Sequence, residues 1–142
     1  MTARVTNRTG KECPLATAAD GVLRVVSVKR DGRTVAPEFG SASYIDGYTA
    51  YLRGSLRPVA NGGTVSIDVT ALPTSGEAWL DNVQPMPTGD GLTSAWALST
   101  PGRYQVTLVY QVPRVPQTKT QPCAGASDTT TVEFAIGASA TD

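Results

Sequence analysis

Five acidic side chains are the residues of this chain that come closest to a known reaction chemistry. A glycosidase needs only two carboxylates, one as acid and the other as base or nucleophile. The candidates are scattered along the chain, at Asp46, Asp68, Glu77, Asp81 and Asp90. Asp68 falls on the polar face of a predicted strand and the others flank turns, which is typical of solvated surface acids. Because single acids signal catalysis only weakly, we expect no catalytic residue and no enzymatic activity.

Other catalytic and ligand-binding signatures are missing. The sequence has no histidine, which removes Ser–His and Cys–His pairs and the most common transition-metal ligand. It has no GxSxG nucleophile turn and no GxxxxGK[ST] or GxGxxG phosphate loop. Asp46 and Asp90 precede glycines in loops, as calcium ligands often do, but calcium takes about six to eight oxygens, usually from clustered acids. We expect no metal ion and no cofactor.

The only two cysteines are Cys13 and Cys123. They are too far apart in sequence for a CxxC metal pair. A disulfide between them would close a very long loop, and chain entropy assigns about 4.7 kcal/mol to closing a loop of roughly 100 residues. Left reduced, each would be a small side chain on an irregular segment. The sequence leaves both states open, because two lone cysteines do not define the redox compartment.

Charge and hydropathy exclude some partners. Lys plus Arg and Asp plus Glu each number 12 in this chain of 142 residues, so no net field attracts nucleic acid. We interpret the basic clusters at residues 4–11 and 29–33 as solvated charge. No run approaches the roughly 18 apolar residues of a membrane helix, so we expect no membrane insertion. The N-terminus lacks the apolar core of a signal peptide, which fits a mature domain or a protein used without secretion.

Alternation with a period of two runs through most of the chain. Such alternation, with frequent Gly and Pro between segments, predicts short antiparallel strands with one wet face. Asp31-Gly32 predicts a tight hairpin. Residues 36–46 are predicted to form a loop. The predicted strands cover residues 21–28, 47–56, 64–72, 77–83, 92–98, 103–112 and 129–136.

These segments predict an all-β fold, a single antiparallel sandwich of about seven to eight strands over residues 21–137. Residues 1–20 have no regular period and are interpreted as an extended N-terminal arm, and residues 138–142 as a tail. Side chains on the inward faces of the last two strands are expected at the centre of the core. They are Tyr104, Val106, Leu108, Val132 and Phe134.

A resemblance supports the sandwich. The stretch WALSTPGRYQVTLVY, residues 96–110, resembles the penultimate-strand region of immunoglobulin-like domains of the PKD and bacterial Ig-like kinds. Gly102, Tyr104, Val106 and Leu108 match that pattern. The resemblance implies an immunoglobulin-like β-sandwich, in which the corner tyrosine buries its ring and its hydroxyl hydrogen-bonds back to the chain. The Cys-Trp-Cys framework of antibody domains is absent, which argues against an antibody or receptor relative.

The long segment PRVPQTKTQPCAGASD, residues 113–128, lies between the two clearest strands. Loops longer than about 12–15 residues are usually functional or disordered. Prolines reduce the entropy lost on docking, and in immunoglobulin-like scaffolds this loop lies where antibodies bind their targets. We therefore predict partner binding by the loop, the alternative being a tolerated insertion. The predicted contact residues are Pro113, Arg114, Val115, Pro116, Lys119 and Pro122.

Tyr51 and Arg53 form a second candidate contact. If residues 47–56 are a strand, both side chains point outward on an open sheet face, which suits a protein contact or a sugar platform. The alternative is that Tyr51 covers a neighbouring strand or loop.

The sequence thus predicts a non-enzymatic structural or binding module that docks on a larger assembly through the arm and the loop, with Cys123 near Cys13. The predicted partners are another protein or neighbouring subunits. The favoured setting is an accessory decoration or tail protein on the surface of a phage virion. The alternative is a secreted or cell-surface bacterial immunoglobulin-like module that binds a carbohydrate or a protein.

Overall fold

The computed structural model describes residues 2–18, 22–43, 47–68, 72–74, 77–85, 90–112, 123 and 127–137. Within these residues the chain forms twelve strands and one short helix, so the all-β prediction is confirmed, with more strands than the seven or eight expected. The elements are β1 Thr2–Thr6, β2 Cys13–Ala16, β3 Leu23–Arg30, β4 Arg33–Thr34, β5 Glu38–Ser43, α1 Tyr48–Ser55, β6 Leu56–Val59, β7 Thr64–Asp68, β8 Leu72–Thr74, β9 Glu77–Pro85, β10 Asp90–Ala97, β11 Gly102–Tyr110 and β12 Thr130–Ile136.

The strands form four antiparallel sheets. Two sheets have four strands, in the orders β12-β11-β3-β4 and β5-β10-β9-β8. Two are pairs, β1 with β7 and β2 with β6. Strands β3 and β9 are in contact, which brings the two larger sheets together. No helix in the described part of the chain is both long and apolar enough to cross a membrane.

The predicted hairpin forms at Asp31 and Gly32. Both residues have positive φ, 51° and 77°, as a two-residue type I′ turn requires. The turn joins β3 to β4, with Arg30 opposite Arg33. The Asp31 carboxylate accepts a hydrogen bond from the Arg103 backbone N–H at 2.9 Å, while its own N–H donates to the Arg103 carbonyl at 2.8 Å. The hairpin is therefore fixed to the start of β11.

One core lies between the two larger sheets. We call it the first core; its buried members are Val25, Val28, Trp96, Leu98, Tyr104, Val106 and Leu108. Three of the five predicted central residues are among them. Val132 and Phe134 face this core as predicted but are only half-buried, because β12 is the outer strand of its sheet. The Phe134 ring stacks on Tyr104 with centroids 5.5 Å apart. The centre of the core is therefore on β11, and Phe134 covers it from the outer strand.

The corner before β11 carries the tyrosine geometry that the resemblance implies. Tyr104 is 1% exposed and its hydroxyl donates to the Thr100 carbonyl at 2.7 Å. Gly102 has φ +152°, and a Cβ there would lie 2.7 Å from the Asp31 Oδ2 atom. The glycine is thus needed for the close approach of the hairpin to β11.

A second core lies beside β2, β6, β7 and α1. Its buried members are Leu15, Ala16, Val22, Leu52, Val59, Ile67 and Tyr110. Strand β11 joins the two cores, since its inward face buries Tyr104, Val106 and Leu108 in the first core and Tyr110 in the second. The alternation predicted for residues 103–112 is therefore correct.

Residues 1–20, interpreted as an extended arm with no strand signal, contain two strands. Residues 2–6 form β1 on β7, and residues 13–16 form β2 on β6. These strands were missed because they are only five and four residues long and depend on partners far away in sequence. The structure does not test the predicted domain boundaries, and the predicted tail, residues 138–142, lies outside the described residues.

Two further segments differ from the predictions. Residues 47–56, predicted as a strand, contain the helix α1, Tyr48–Ser55. Leu52 anchors this helix in the second core at 2% exposure. The segment predicted as a loop, residues 36–46, contains β5, whose partner is the distant strand β10.

Candidate docking surface

The two cysteines are joined. Cys13, the first residue of β2, forms a disulfide with Cys123, and their Cα atoms are 5.5 Å apart. The Cys123 backbone N–H also donates to the Pro14 carbonyl at 3.0 Å. Cys13 is buried, and Cys123 is half-buried against the second core. The arm and the loop are therefore in contact at these residues, as the sequence hypothesis required.

The end of the long loop is fixed at Ser127. Its backbone N–H donates to the Tyr110 carbonyl at 2.8 Å, and its Oγ accepts from the Tyr110 N–H at 2.9 Å. The Ser127 hydroxyl donates in turn to the Asp128 carbonyl at 2.8 Å. A side-chain oxygen and a backbone N–H of one serine thus satisfy both backbone groups of Tyr110. The chain entering β12 is held against the end of β11.

Tyr110 connects this site to β2. Its hydroxyl accepts from the Ala16 N–H at 2.8 Å and donates to the Ala16 carbonyl at 3.1 Å. Burial raises the pKa of Tyr110 to about 12, and the hydrogen bond to the Ala16 backbone acts in the opposite direction. The phenol is therefore neutral at ordinary pH. Its hydroxyl links β11 to β2 through these two hydrogen bonds.

These contacts define a loop platform, made of Cys13, Ala16, Tyr110, Cys123 and Ser127. It joins β2 and β11 to two positions of the predicted binding loop by one disulfide and a set of short hydrogen bonds. The predicted contact residues Pro113, Arg114, Val115, Pro116, Lys119 and Pro122 lie outside the described residues. Their role stays a prediction, although the platform fixes the chain next to them at residue 123.

The predicted sheet face at Tyr51 and Arg53 does not exist, because both residues lie on α1. Residues two apart on a helix point in different directions, so the two side chains do not share a face. Tyr51 is 50% exposed and Arg53 is exposed. The helix contacts β2, and Thr17, just after β2, donates its N–H to the Ser55 carbonyl at 3.1 Å. Tyr51 therefore lies on a helix near the platform strand, with half of its surface exposed.

Two exposed apolar side chains were missed by the sequence analysis. Phe39 on β5 is 81% exposed and Val26 on β3 is 54% exposed. Phe39 lies in the segment that was predicted as a loop, so no alternating pattern indicated whether its side chain points inward or outward. Val26 lies at a break in the β3–β11 register, where the bulge changes which side chains point inward. Nothing in the local sequence distinguishes either residue from a buried one.

Asn7 is the one buried polar side chain among the described residues. Its amide donates to the Lys11 and Val59 carbonyls, both at 2.8 Å, and its Oδ1 accepts from the Thr9 N–H and hydroxyl. These bonds hold the β1–β2 connection against the end of β6. Asn7 is also the first residue of an Asn-Arg-Thr glycosylation sequence. A glycan on its Nδ2 is incompatible with this packing.

The described residues hold no group of three or more His, Cys, Asp or Glu side chains that could bind a metal ion. Asp68 is exposed and accepts a hydrogen bond from the Thr2 hydroxyl at 2.9 Å. The absence of enzymatic activity and of cofactors remains a prediction.

No family model, no curated protein and no solved structure matches this chain. The functional argument therefore depends on the platform and on the surfaces around it.

Proposed function

We propose that the protein is a non-enzymatic, immunoglobulin-like structural or binding module that docks on a larger assembly through the loop at residues 113–128. The observation that carries the proposal is the attachment of this loop to β2 and β11. A disulfide at Cys123 and the double contact at Ser127 fix the loop at its C-terminal side. A tolerated insertion needs no such anchoring. A binding loop gains from it, because a fixed base lowers the entropy lost on docking.

Two features support the immunoglobulin-like assignment. The sheet order β12-β11-β3-β4 corresponds to the order G-F-C-C′ of variable-type immunoglobulin domains, with β3 and β4 as C and C′. The hydroxyl of Tyr104 bonds back to Thr100, as in the tyrosine corner of that fold. The other large sheet differs, since all its strands come between β4 and β11 and none from the N-terminus. The protein would be a divergent member of the class.

The disulfide bears on the setting. Disulfides persist in oxidising surroundings, on secreted proteins and on virion or cell surfaces. The favoured setting is the surface of a phage virion, as a decoration or tail protein. The disulfide also supports the second candidate, a secreted or cell-surface module that binds a carbohydrate or a protein. Export would expose the cysteines to oxidant directly, whereas a virion protein would meet it after release from the host cytosol.

The test replaces residues 113–122 with a Gly/Ser segment of equal length and keeps Cys123. Deleting residues 1–18 is no test, because it would remove β1, β2 and Cys13. Immunodetection of the natural protein in fractions of its source culture first identifies the assembly, as particle, cell envelope or soluble medium. Labelled protein and the loop variant are then compared for co-sedimentation with that fraction.

The expected result is a folded variant that no longer co-sediments. A matched control replaces Thr131, an exposed residue of β12, with Asn, and should bind like the natural protein. Full binding by the loop variant, with its melting temperature unchanged, would contradict the proposal. Recovery from particles would favour the virion, and recovery from medium or envelope would favour the second candidate.

A further inference from the structure

Two arginines face each other across the β3–β4 hairpin. Arg30 and Arg33 are direct cross-strand partners, so their side chains leave the same face of the sheet. Like charges placed directly opposite destabilise a sheet pair. In the described part of the chain, neither guanidinium has a hydrogen bond or an ion pair. A pair that is unfavourable by itself and has no internal partner is suited to an external anion.

The first of these side chains is held in place. Arg30 is half-buried, and a Cβ added at Gly102 would lie 2.9 Å from its Cγ and 3.1 Å from its Cδ. The aliphatic part of Arg30 therefore lies directly over the backbone of β11. An arginine with a packed stem loses less side-chain entropy when its guanidinium binds a ligand.

The space next to the pair is concave. A recess of about 570 Å³ is lined by Arg30, Asp31, Arg33, Thr34 and Val35. Asp31 contributes the one opposing charge, and its Oδ1 already accepts the Arg103 N–H. Lys29 lies on the other face of β3, since side chains alternate along a strand. The recess therefore contains two guanidinium groups and one carboxylate, and one oxygen of that carboxylate already accepts a hydrogen bond from the backbone.

The recess also adjoins a strand edge that no other described strand pairs with. Strand β4 is the outer strand of its sheet. Val35 donates its N–H inward to the Val28 carbonyl at 2.9 Å, so alternation turns the N–H and C=O of Thr34 away from β3. An extended chain beside β4 could bond to these groups while its side chains reach the arginines. That combination favours a peptide over an isolated small anion.

We infer that Arg30 and Arg33 bind the carboxylates of an extended acidic segment on the protein partner, which lies along the edge of β4. Guanidinium groups bind carboxylates in bidentate fashion, and such charge-assisted bonds are among the stronger contacts of proteins. The inference rests on the proposed docking function and adds a second contact, at the hairpin. It also specifies the chemistry of the partner surface as Asp- and Glu-rich.

The test titrates the full-length, oxidised protein with an oligoglutamate peptide, using an oligoglutamine peptide of equal length as the neutral reference. Calorimetry at low and at physiological salt measures the affinity. The natural protein should bind oligoglutamate and not oligoglutamine. The double variant Arg30→Gln/Arg33→Gln should bind about tenfold more weakly or worse. Lys29→Gln, one residue away on the opposite face, should change the affinity by less than about twofold.

Thermal unfolding of each variant provides the folding check. Removing the like-charge pair should leave the melting temperature unchanged or higher. Equal weakening in Lys29→Gln, or no binding of oligoglutamate by the natural protein, would overturn the inference. Tighter binding of heparin than of oligoglutamate would overturn the assignment to an acidic protein segment. Co-sedimentation of Arg30→Gln/Arg33→Gln at the natural level, with binding lost on loop replacement, would reject this inference and leave the proposed function standing.

Discussion

The hydroxyl of Tyr110 satisfies both backbone hydrogen-bonding groups of Ala16, accepting from the N–H at 2.8 Å and donating to the carbonyl at 3.1 Å. The Tyr110 side chain, at the end of β11, thus makes the two hydrogen bonds to β2 that the backbone of a neighbouring strand would make. Both residues are buried in the second core. The contact ties the strand that carries Cys13 to the strand from which the long loop departs.

Replacing Tyr110 with Phe should therefore cost more than the same change at Tyr104. Tyr110→Phe leaves a donor and an acceptor of Ala16 buried without a partner, and we expect a loss of about 2–3 kcal/mol in the free energy of unfolding. Tyr104→Phe removes one bond to the Thr100 carbonyl and should cost about 1 kcal/mol. Denaturant unfolding of the two variants measures both. A larger loss in Tyr104→Phe would contradict this account of the platform.

The raised pKa of Tyr110 predicts a stability change in alkali. Its folded-state pKa of about 12 exceeds the ordinary value of 10.0, so the folded chain holds the phenolic proton more tightly than the unfolded chain does. The resulting contribution is fully present below pH 10 and is lost as the pH rises through 12. Phenolate absorbance of the natural protein should include a step near pH 12 that is missing in Tyr110→Phe. If Tyr110→Phe keeps the absorbance step near pH 12 and loses one at lower pH instead, another tyrosine is the one with the raised pKa.

Removing the disulfide should destabilise the fold substantially. The bond joins residues 110 apart in sequence, and its loss should lower the free energy of unfolding by about 2–5 kcal/mol. The variant Cys13→Ser/Cys123→Ser and the reduced natural protein should unfold at similar denaturant concentrations. Reductant should leave the double variant unchanged, which is the internal control. An equal midpoint for oxidised and reduced natural protein would mean that the bond contributes nothing to stability.

Gly102 and Gly54 offer a matched pair for the hairpin contact. Gly102→Ala would place a Cβ against Asp31 and Arg30 at a φ that L-residues rarely adopt, and should cost about 1–3 kcal/mol. Gly54 lies in α1, where an added Cβ would point into open space beside the helix, so Gly54→Ala should be neutral or stabilising by up to about 1 kcal/mol. Thermal unfolding compares the two. A neutral Gly102→Ala would mean that the hairpin does not press on β11.

The best sequence predictions concern segments whose signals are local. The Asp31-Gly32 turn was predictable because few dipeptides accept two positive φ values. Strand β11 was predictable because alternation continues over nine residues, long enough to exclude a helix. In both cases the chain within a short window determines the structure.

The helix α1 shows why a short window can mislead. Tyr48, Leu52 and Leu56 are spaced by four, a spacing that fits one helix face and also alternation with a period of two. The two interpretations differ only at the positions between them, where Ala50 and Gly54 carry little preference. Both interpretations bury Leu52, so the choice of a helix depends on packing against distant parts of the chain, such as β2 and Thr17, whose N–H donates to the Ser55 carbonyl.

The candidate site was only partly predictable, for a similar reason. Pairing of Cys13 with Cys123 could be suggested but not settled, because it depends on β2 reaching β6 and on Tyr110 holding Ala16. The predicted Asp31-Gly32 turn already places Arg30 opposite Arg33. The packing of the Arg30 side chain over Gly102 could not be predicted, because it depends on where β11 lies.

The most direct test of the central claim, that the anchored loop is the docking element, is site-specific photo-crosslinking. A photoreactive amino acid is placed at Lys119 in the loop, or at Thr131 on the exposed face of β12 as the control, and each protein is irradiated while bound to the natural assembly. The account predicts a covalent adduct with a protein of the assembly from position 119 and none from position 131. Adducts from position 131 with none from position 119 would contradict it.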